Sequence, residues 1–378
     1  MSLPLLFTPI TVSGITLANR CVFSPMNIYG SKHGIPGDTH LVHLGKMANG
    51  GFALVFTESA AVEERGLITD HDMGIWHDGQ IDAHRRLVQV VHNEGSRIGI
   101  QLAHGGRKSA MQRAMHGGGP LDAHDLAQGA KLWQPVSPTT QPVGPGWLIP
   151  HQLSVAEIQH LVRIFAEAAS RANAAGYDAV EVHGAHGYLM ASFLSPISNT
   201  RNDLYGGDRA GRMRFALEVT NAVRAVWPQG KPLFFRVSAV DGADGWDLED
   251  TVVLARALKE CGVDVVDCSS GGISGASTAS PIPRYPGFQV PFAAAVKRRA
   301  DIPAMAVGLI LDGAQAEAVL QAGDADLIAI GREALFNPNW PLHAAQALNC
   351  DAQFALWPAS YGWWLDKRAQ TLVRIRSV

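Results

Sequence analysis

His183, His186 and Tyr188 fall within one short run, His183-Gly184-Ala185-His186-Gly187-Tyr188. Two imidazoles three apart, with a phenol two further on, form a concentrated set of hydrogen-bond donors. The same pair suits a metal if further ligands join it, or belongs to an ordinary loop; spacing alone leaves all three readings open. Gln101 follows Gly99-Ile100 and Arg236 follows Phe234-Phe235, each late in an apolar run. An arginine placed there needs a negative partner, because an unpaired buried charge is costly. That partner is either an anionic ligand or an internal acid such as Glu181. Val307-Gly308-Leu309 and Ile330-Gly331-Arg332 close two more apolar runs on glycine. Glycine lets backbone N–H groups approach a phosphate, and the Arg332 guanidinium suits bidentate phosphate contact. A phosphate anchor beside a donor-rich patch fits a phosphorylated cofactor.

Residues scattered this widely must be gathered by regular elements. Short β-rich runs alternate with longer amphipathic ones, the signature of parallel βα units. Strand candidates lie at 21–24, 53–57, 98–102, 179–183, 233–237, 263–268, 304–307 and 327–330. Helical stretches include 83–94, 155–175, 212–226, 251–259 and 314–322, several followed by glycine (Gly95, Gly176, Gly262, Gly323), as helix C-termini often are. Eight such units predict a closed (β/α)8 TIM barrel rather than an open doubly wound sheet. An open sheet usually carries a Gly-rich fingerprint after its first strand, whereas Ser24-Pro25-Met26-Asn27 stands here. In a barrel, the polar residues at strand C-termini become the first candidates for the active site. The connection after the third strand, 103–154, is an extended loop rich in Gly, Pro and His, predicted to cross the barrel mouth. The expected organisation is a barrel over 1–348 and a Trp-rich C-terminal tail over 349–378, packed on the barrel or on a partner subunit.

The chain has 378 residues, 47% of them hydrophobic, with 31 Lys+Arg against 34 Asp+Glu. That near balance argues against nucleic acid or an anionic membrane as the main partner. No apolar run approaches the roughly 20 residues that span a bilayer, and Met1 to Ile10 lacks the pattern of an export signal. Cys21, Cys261, Cys268 and Cys350 show no metal-site spacing and suit a reducing cytoplasm.

One stretch is more specific than any of these. Arg201-Asn202-Asp203-Leu204-Tyr205-Gly206-Gly207, followed by Arg212-Met213-Arg214-Phe215, resembles the R-x-D-x-Y-G-G…R-x-R-F signature of the Old Yellow Enzyme family. Leu17-Ala18-Asn19-Arg20 with Ser24-Pro25-Met26, Gln101-Leu102-Ala103-His104-Gly105-Gly106-Arg107, the His183–Tyr188 run and Ile330-Gly331-Arg332 also resemble family elements, so the likeness covers nearly the whole chain. Tyr29 and the tail resemble the bacterial subgroup that includes xenobiotic reductases and thermophilic-like ene-reductases.

The resemblance implies non-covalent FMN, NAD(P)H as reductant and reduction of α,β-unsaturated carbonyl compounds in a ping-pong cycle. Carried over by position, His183 and His186 bind the substrate carbonyl and Tyr188 protonates Cα. Ser24, Pro25, Met26 and Ser59 line the isoalloxazine, and Gln101 binds its pyrimidine edge. Arg236 faces N1 and O2, and Gly308, Gly331 and Arg332 hold the phosphate. Tyr29 closes the substrate pocket, and Trp364 reaches a neighbouring active site in a homodimer or higher homo-oligomer. Where relatives carry a redox-tuning cysteine beside the flavin, this chain has Asn27, whose amide is expected to donate to flavin C4=O and raise the potential. Rival readings are a zinc hydrolase on His183 and His186, or a flavin-holding redox sensor without turnover. Dienoyl-CoA reductase-like and amine dehydrogenase-like relatives need a cysteine-ligated cluster that the spacing here does not offer.

Overall fold

Eight parallel strands close on themselves in the computed structural model, which describes residues 3–242, 244–275 and 282–376. They are β1 (Cys21–Phe23), β2 (Leu54–Ala61), β3 (Arg97–Ala103), β4 (Ala179–Gly184), β5 (Leu233–Ser238), β6 (Val265–Ser269), β7 (Ala304–Ala306) and β8 (Leu327–Ile330). Each pairs with the next, and β8 returns to β1 through Ile328↔Cys21 to Ile330↔Phe23. The predicted TIM barrel is therefore the fold, with a strand at each of the eight expected places. Helices α1 (Asp38–Asn49), α2 (Ile81–Asn93), α3 (Val155–Ala175), α4 (Arg209–Val226), α5 (Leu248–Glu260), α6 (Val290–Ala300), α7 (Gly313–Gln321) and α8 (Trp340–Ala347) follow the strands in turn.

Local sequence explains the units. In α3, Ser154 Oγ accepts from the Glu157 N–H, and the Glu157 carboxylate accepts from the Ser154 N–H at 2.8 Å, a reciprocal cap. Ile158, Leu161, Phe165, Ala168, Ala169 and Ala172 form the buried stripe, and Gly176 ends the helix in the left-handed region. The strands are buried along nearly their whole length because helices cover the outside and side chains fill the inside. Phe56 and Phe234 meet edge-to-face within the barrel at 5.3 Å, with Val265, Met305 and Leu327. A Cβ on Gly99 would lie 2.4 Å from the Phe56 ring, so glycine at that point makes room for the packing. A hairpin, Ile10–Val12 with Ile15–Leu17, adds Val12 and Leu17 to the same cluster and closes the N-terminal end.

Two features lie outside the repeat. The 103–154 connection crosses the opposite end, where Trp147 packs against Ile68, Met111 and Tyr188. It is ordered by Arg201, which donates to the carbonyls of Pro138 (2.8 Å) and Leu153 (2.7 Å) while paired with Asp203. The most specific sequence signature is thus a staple for the cover, not part of the chemistry. After α8 the chain runs to a last helix, α9 (Ala359–Arg376), on which Tyr361, Trp363 and Trp364 are exposed. Among the described residues no helix is long and apolar enough to cross a membrane.

Candidate active site

Strand register sets the site in rows. Ser59, Gln101 and Glu181 are neighbours across β2, β3 and β4; His183, Arg236 and Asp267 are neighbours across β4, β5 and β6. Above them, at the strands' C-terminal ends, lies a cavity of about 310 Å³. Its walls include Ser24, Pro25, Met26, His186, Arg236, Gly308, Gly331 and Arg332, eight of the residues singled out from sequence.

Arg236 is buried and makes two contacts beneath that cavity. Its Nη1 donates to Ser24 Oγ at 3.0 Å, and its Nε lies 3.2 Å from Asp267 Oδ2 as an ion pair. The internal acid beside the arginine is thus Asp267, not the Glu181 considered from sequence. Glu181 accepts from Gln101 Nε2 at 2.7 Å, which fixes the Gln101 amide. Burial, then the neighbouring charge of Asp267, pushes the Glu181 carboxyl well above the ordinary range. Burial raises the Asp267 carboxyl as well, against the lowering pull of the Arg236 guanidinium.

The donor set comes from the end of β4, which carries His183, and the turn after it, which carries His186 and Tyr188. The rings of His183 and His186 are 5.2 Å apart, His183 and Tyr188 5.2 Å, His186 and Tyr188 6.4 Å. Burial, and then Arg236, bring the His183 imidazole down to about 3 and hold His186 well below its usual value. Both rings are neutral at neutral pH. His183 Nδ1 accepts from the Ala185 N–H at 3.3 Å, so its proton sits on Nε2, free to donate. His186 Nε2 lies 2.7 Å from Ser269 Oγ, and its backbone N–H donates to Ser238 Oγ at 2.9 Å. These serines, with Asp267, had no sequence signal: nothing near them marks them apart from other strand ends. A metal reading of the pair finds no support, since among the described residues no three His, Cys, Asp or Glu side chains converge as ligands.

The remaining candidates divide. Asn27 Oδ1 accepts from Ser59 Oγ at 3.1 Å, and its Nδ2 donates to Asp72 Oδ1 at 3.4 Å. Burial, then Glu58, raises the Asp72 carboxyl to about 7. The Tyr29 hydroxyl accepts from the Ala114 N–H at 3.3 Å, tying it to the cover. Trp364 is 67% exposed on α9 and is not among the residues lining this cavity.

The residues suit FMN on their own terms. Gly308 at φ +122° opens the backbone, a Cβ on Gly331 would face Met26 and Ser24, and Arg332 stands beside both. Arg236 adds a buried guanidinium to the same wall.

Residues 5–351 match the family described as NADH:flavin oxidoreductase / NADH oxidase. The chain belongs to that family. The resemblance to Old Yellow Enzyme is thereby confirmed, and the protein is an FMN-dependent NAD(P)H oxidoreductase. It is 43% identical to the NADPH dehydrogenase of Bacillus subtilis (strain 168) over 349 residues, 92% of this chain and 96% of that one. Among solved structures, morphinone reductase superposes with a TM-score of 0.76 at 27% identity, covering 92% of this chain and 90% of that one. The old yellow enzyme homologue from Zymomonas mobilis shares the fold, with a TM-score of 0.75 at 24% identity over 91% of this chain and 93% of its own.

Proposed function

We propose that the enzyme reduces the activated C=C bond of α,β-unsaturated carbonyl compounds. The observation that carries this reading is the meeting of two neutral imidazoles and a phenol, with His186 lining the cavity. FMN, held by the cavity residues, would supply the redox chemistry that links NAD(P)H to the substrate. As Cβ is reduced, negative charge grows on the carbonyl oxygen. His183 Nε2–H donates to that oxygen, as does His186 Nδ1–H when Nε2 accepts from the Ser269 hydroxyl, and fixed donors are most effective where charge develops. The Tyr188 O–H bond breaks as the Cα–H bond forms, and water reprotonates the phenolate. A phenol with a reference pKa of about 10 is a competent acid towards an enolate carbon.

In the same reading, Ser24, Pro25, Met26, Asn27, Ser59 and Gln101 hold the flavin ring. Arg236 offsets its charge; Gly308, Gly331 and Arg332 take the phosphate; Tyr29 bounds the substrate. The chain works as a barrel over 1–348 with a tail over 349–378 that meets a second subunit, in a reducing cytoplasm where its four thiols stay free.

The test is anaerobic stopped flow. The NADPH-reduced enzyme is mixed with 2-cyclohexenone, and the flavin band near 450 nm is expected to return with stoichiometric cyclohexanone. A reduced flavin that persists with the enone in excess overturns the proposal. Failure of NADPH and NADH alike to bleach the flavin would instead favour a redox sensor.

A further inference from the structure

Lys108 is fully buried, and its hydrogen bonds run to backbone rather than to a carboxylate. Its Nζ donates to the carbonyl of His186 at 2.9 Å and to that of Gly272. Arg107, also buried, donates to the carbonyls of Ile273 (2.5 Å) and Pro142 (3.4 Å). Burying an ammonium against carbonyls alone is costly, so the arrangement needs a compensating gain.

The geometry around it is close. His186 and Gly187 turn through the left-handed region at φ +60° and +71°. A Cβ on Gly187 would lie 2.2 Å from the Gly272 carbonyl oxygen, and one on Gly272 would lie 2.7 Å from His186 Cα. The turn after β4 and the loop after β6 therefore touch backbone to backbone, with Lys108 bonded to both. The same Nζ stands 5.8 Å from the centre of the Tyr188 ring.

We propose that Lys108 is a positioning residue for the reduction: it ties the His186–Tyr188 turn to the loop after β6 and sets a positive charge against the ring of the proton donor. The proposal rests on the reading of Tyr188 as that donor. As the phenol gives up its proton, its ring gains negative charge, and a cation facing the ring stabilises that state more than the starting one. The charged and titratable groups around the ammonium are Arg107 on its own turn, Asp241 after β5, and His186 and Tyr188 after β4. Burial, then Arg107, brings the ammonium down to about 7, so its charge is present below that pH and lost above it.

Full-length FMN-loaded enzyme carrying Lys108→Met, Lys108→Gln, Tyr188→Phe or Lys108→Met/Tyr188→Phe separates the possibilities. Reduction by NADPH and reoxidation by 2-cyclohexenone are timed separately from acid to alkaline pH. Lys108→Met is expected to slow reoxidation by about 10-fold below pH ~7, the scale of a desolvated cation–π contact, while reduction changes by less than about twofold. The parent's loss of reoxidation rate as pH rises through about 7 disappears in the variant. Lys108→Gln, which keeps a donor but no charge, shares both effects. In the Tyr188→Phe background, Lys108→Met adds little. Equal slowing of both half-reactions, or full slowing in the Tyr188→Phe background, overturns the proposal. A slow Tyr188→Phe beside a parental Lys108→Met overturns it alone, whereas a parental Tyr188→Phe overturns the proton-donor reading itself.

Discussion

In the proposed reaction the two histidines serve as donors in the uncharged form, which burial and Arg236 favour. With the His183 imidazole lowered to about 3, the donor pair has the same protonation state throughout the working range. Reoxidation by an enone is expected to show no acid limb near the ordinary histidine value of about 6.5, and a limb at that pH in the Lys108→Met variant contradicts the assignment. The stability effect has a definite sign. An unfolded chain takes up this proton below about 6.5 while the native one refuses it until about 3. The contribution of His183 to stability is therefore full above about 6.5 and is lost as pH falls towards 3. Thermal unfolding of His183→Gln set against the parent over that window checks it: the acid dependence is expected to be shallower in the variant. Asn27 carries a second prediction. Ser59 and Asp72 orient its amide, and one remaining N–H can serve the flavin edge. One hydrogen bond contributes about 0.5–1.5 kcal/mol, on the order of 10–30 mV for a two-electron couple. Asn27→Cys is expected to lower the midpoint potential by that amount in a potentiometric titration. A parent potential equal to or below the variant's refutes the role.

At the scale of elements, the turn after β4 is the part least tolerant of change. Gly187 combines a positive φ with a Cβ position 2.2 Å from a fixed carbonyl. Gly187→Ala is expected to cost 1–3 kcal/mol of local strain and to move the Tyr188 ring away from the imidazoles. Enone reduction should fall by at least about 100-fold, as displacement of a reacting group by about 1 Å can cause, while FMN stays bound. Loss of FMN from this variant would show that the turn carries the flavin pocket as well. The strands were legible from sequence because buried parallel strands are continuous apolar runs, and all eight fell where expected. Helices α1, α6 and α8 were not read out: α1 includes Gly45 and three histidines or lysines among its apolar positions, and α6 and α8 are short stretches rich in alanine. The candidate site was legible as strand-end residues, Gly308, Arg332 and His186 among them, that the barrel gathers around one cavity. It was illegible where a role depends on backbone from distant loops. Lys108 reads as an ordinary loop lysine until the carbonyls of residues 186 and 272 are brought to it.

For the molecule as a whole, the open question is what α9 does with its side chains. Trp363 and Trp364 are 55% and 67% exposed, and Tyr361, Val373 and Ile375 are exposed on the same helix. The family match ends at residue 351, so this helix lies beyond the matched region. Its base is anchored: the Trp357 ring packs at a tilt against His343, 5.4 Å between centres, and a Cβ on Gly362 would press 2.4 Å from the Phe354 carbonyl. A helix fixed at its root that exposes Trp363, Trp364, Val373 and Ile375 between charged residues buries those side chains best against a second copy. Such pairing also suits a tail whose Trp364 reaches the neighbouring cavity. Multi-angle light scattering at micromolar concentration is expected to give twice the 40.4 kDa chain mass. Trp363→Ser/Trp364→Ser should shift the protein towards monomer. If Trp364 also borders the partner's substrate, that variant raises KM for the enone and leaves FMN content unchanged. A parent that stays strictly monomeric removes the interface, and a variant that stays dimeric with an unchanged KM moves it away from these two tryptophans.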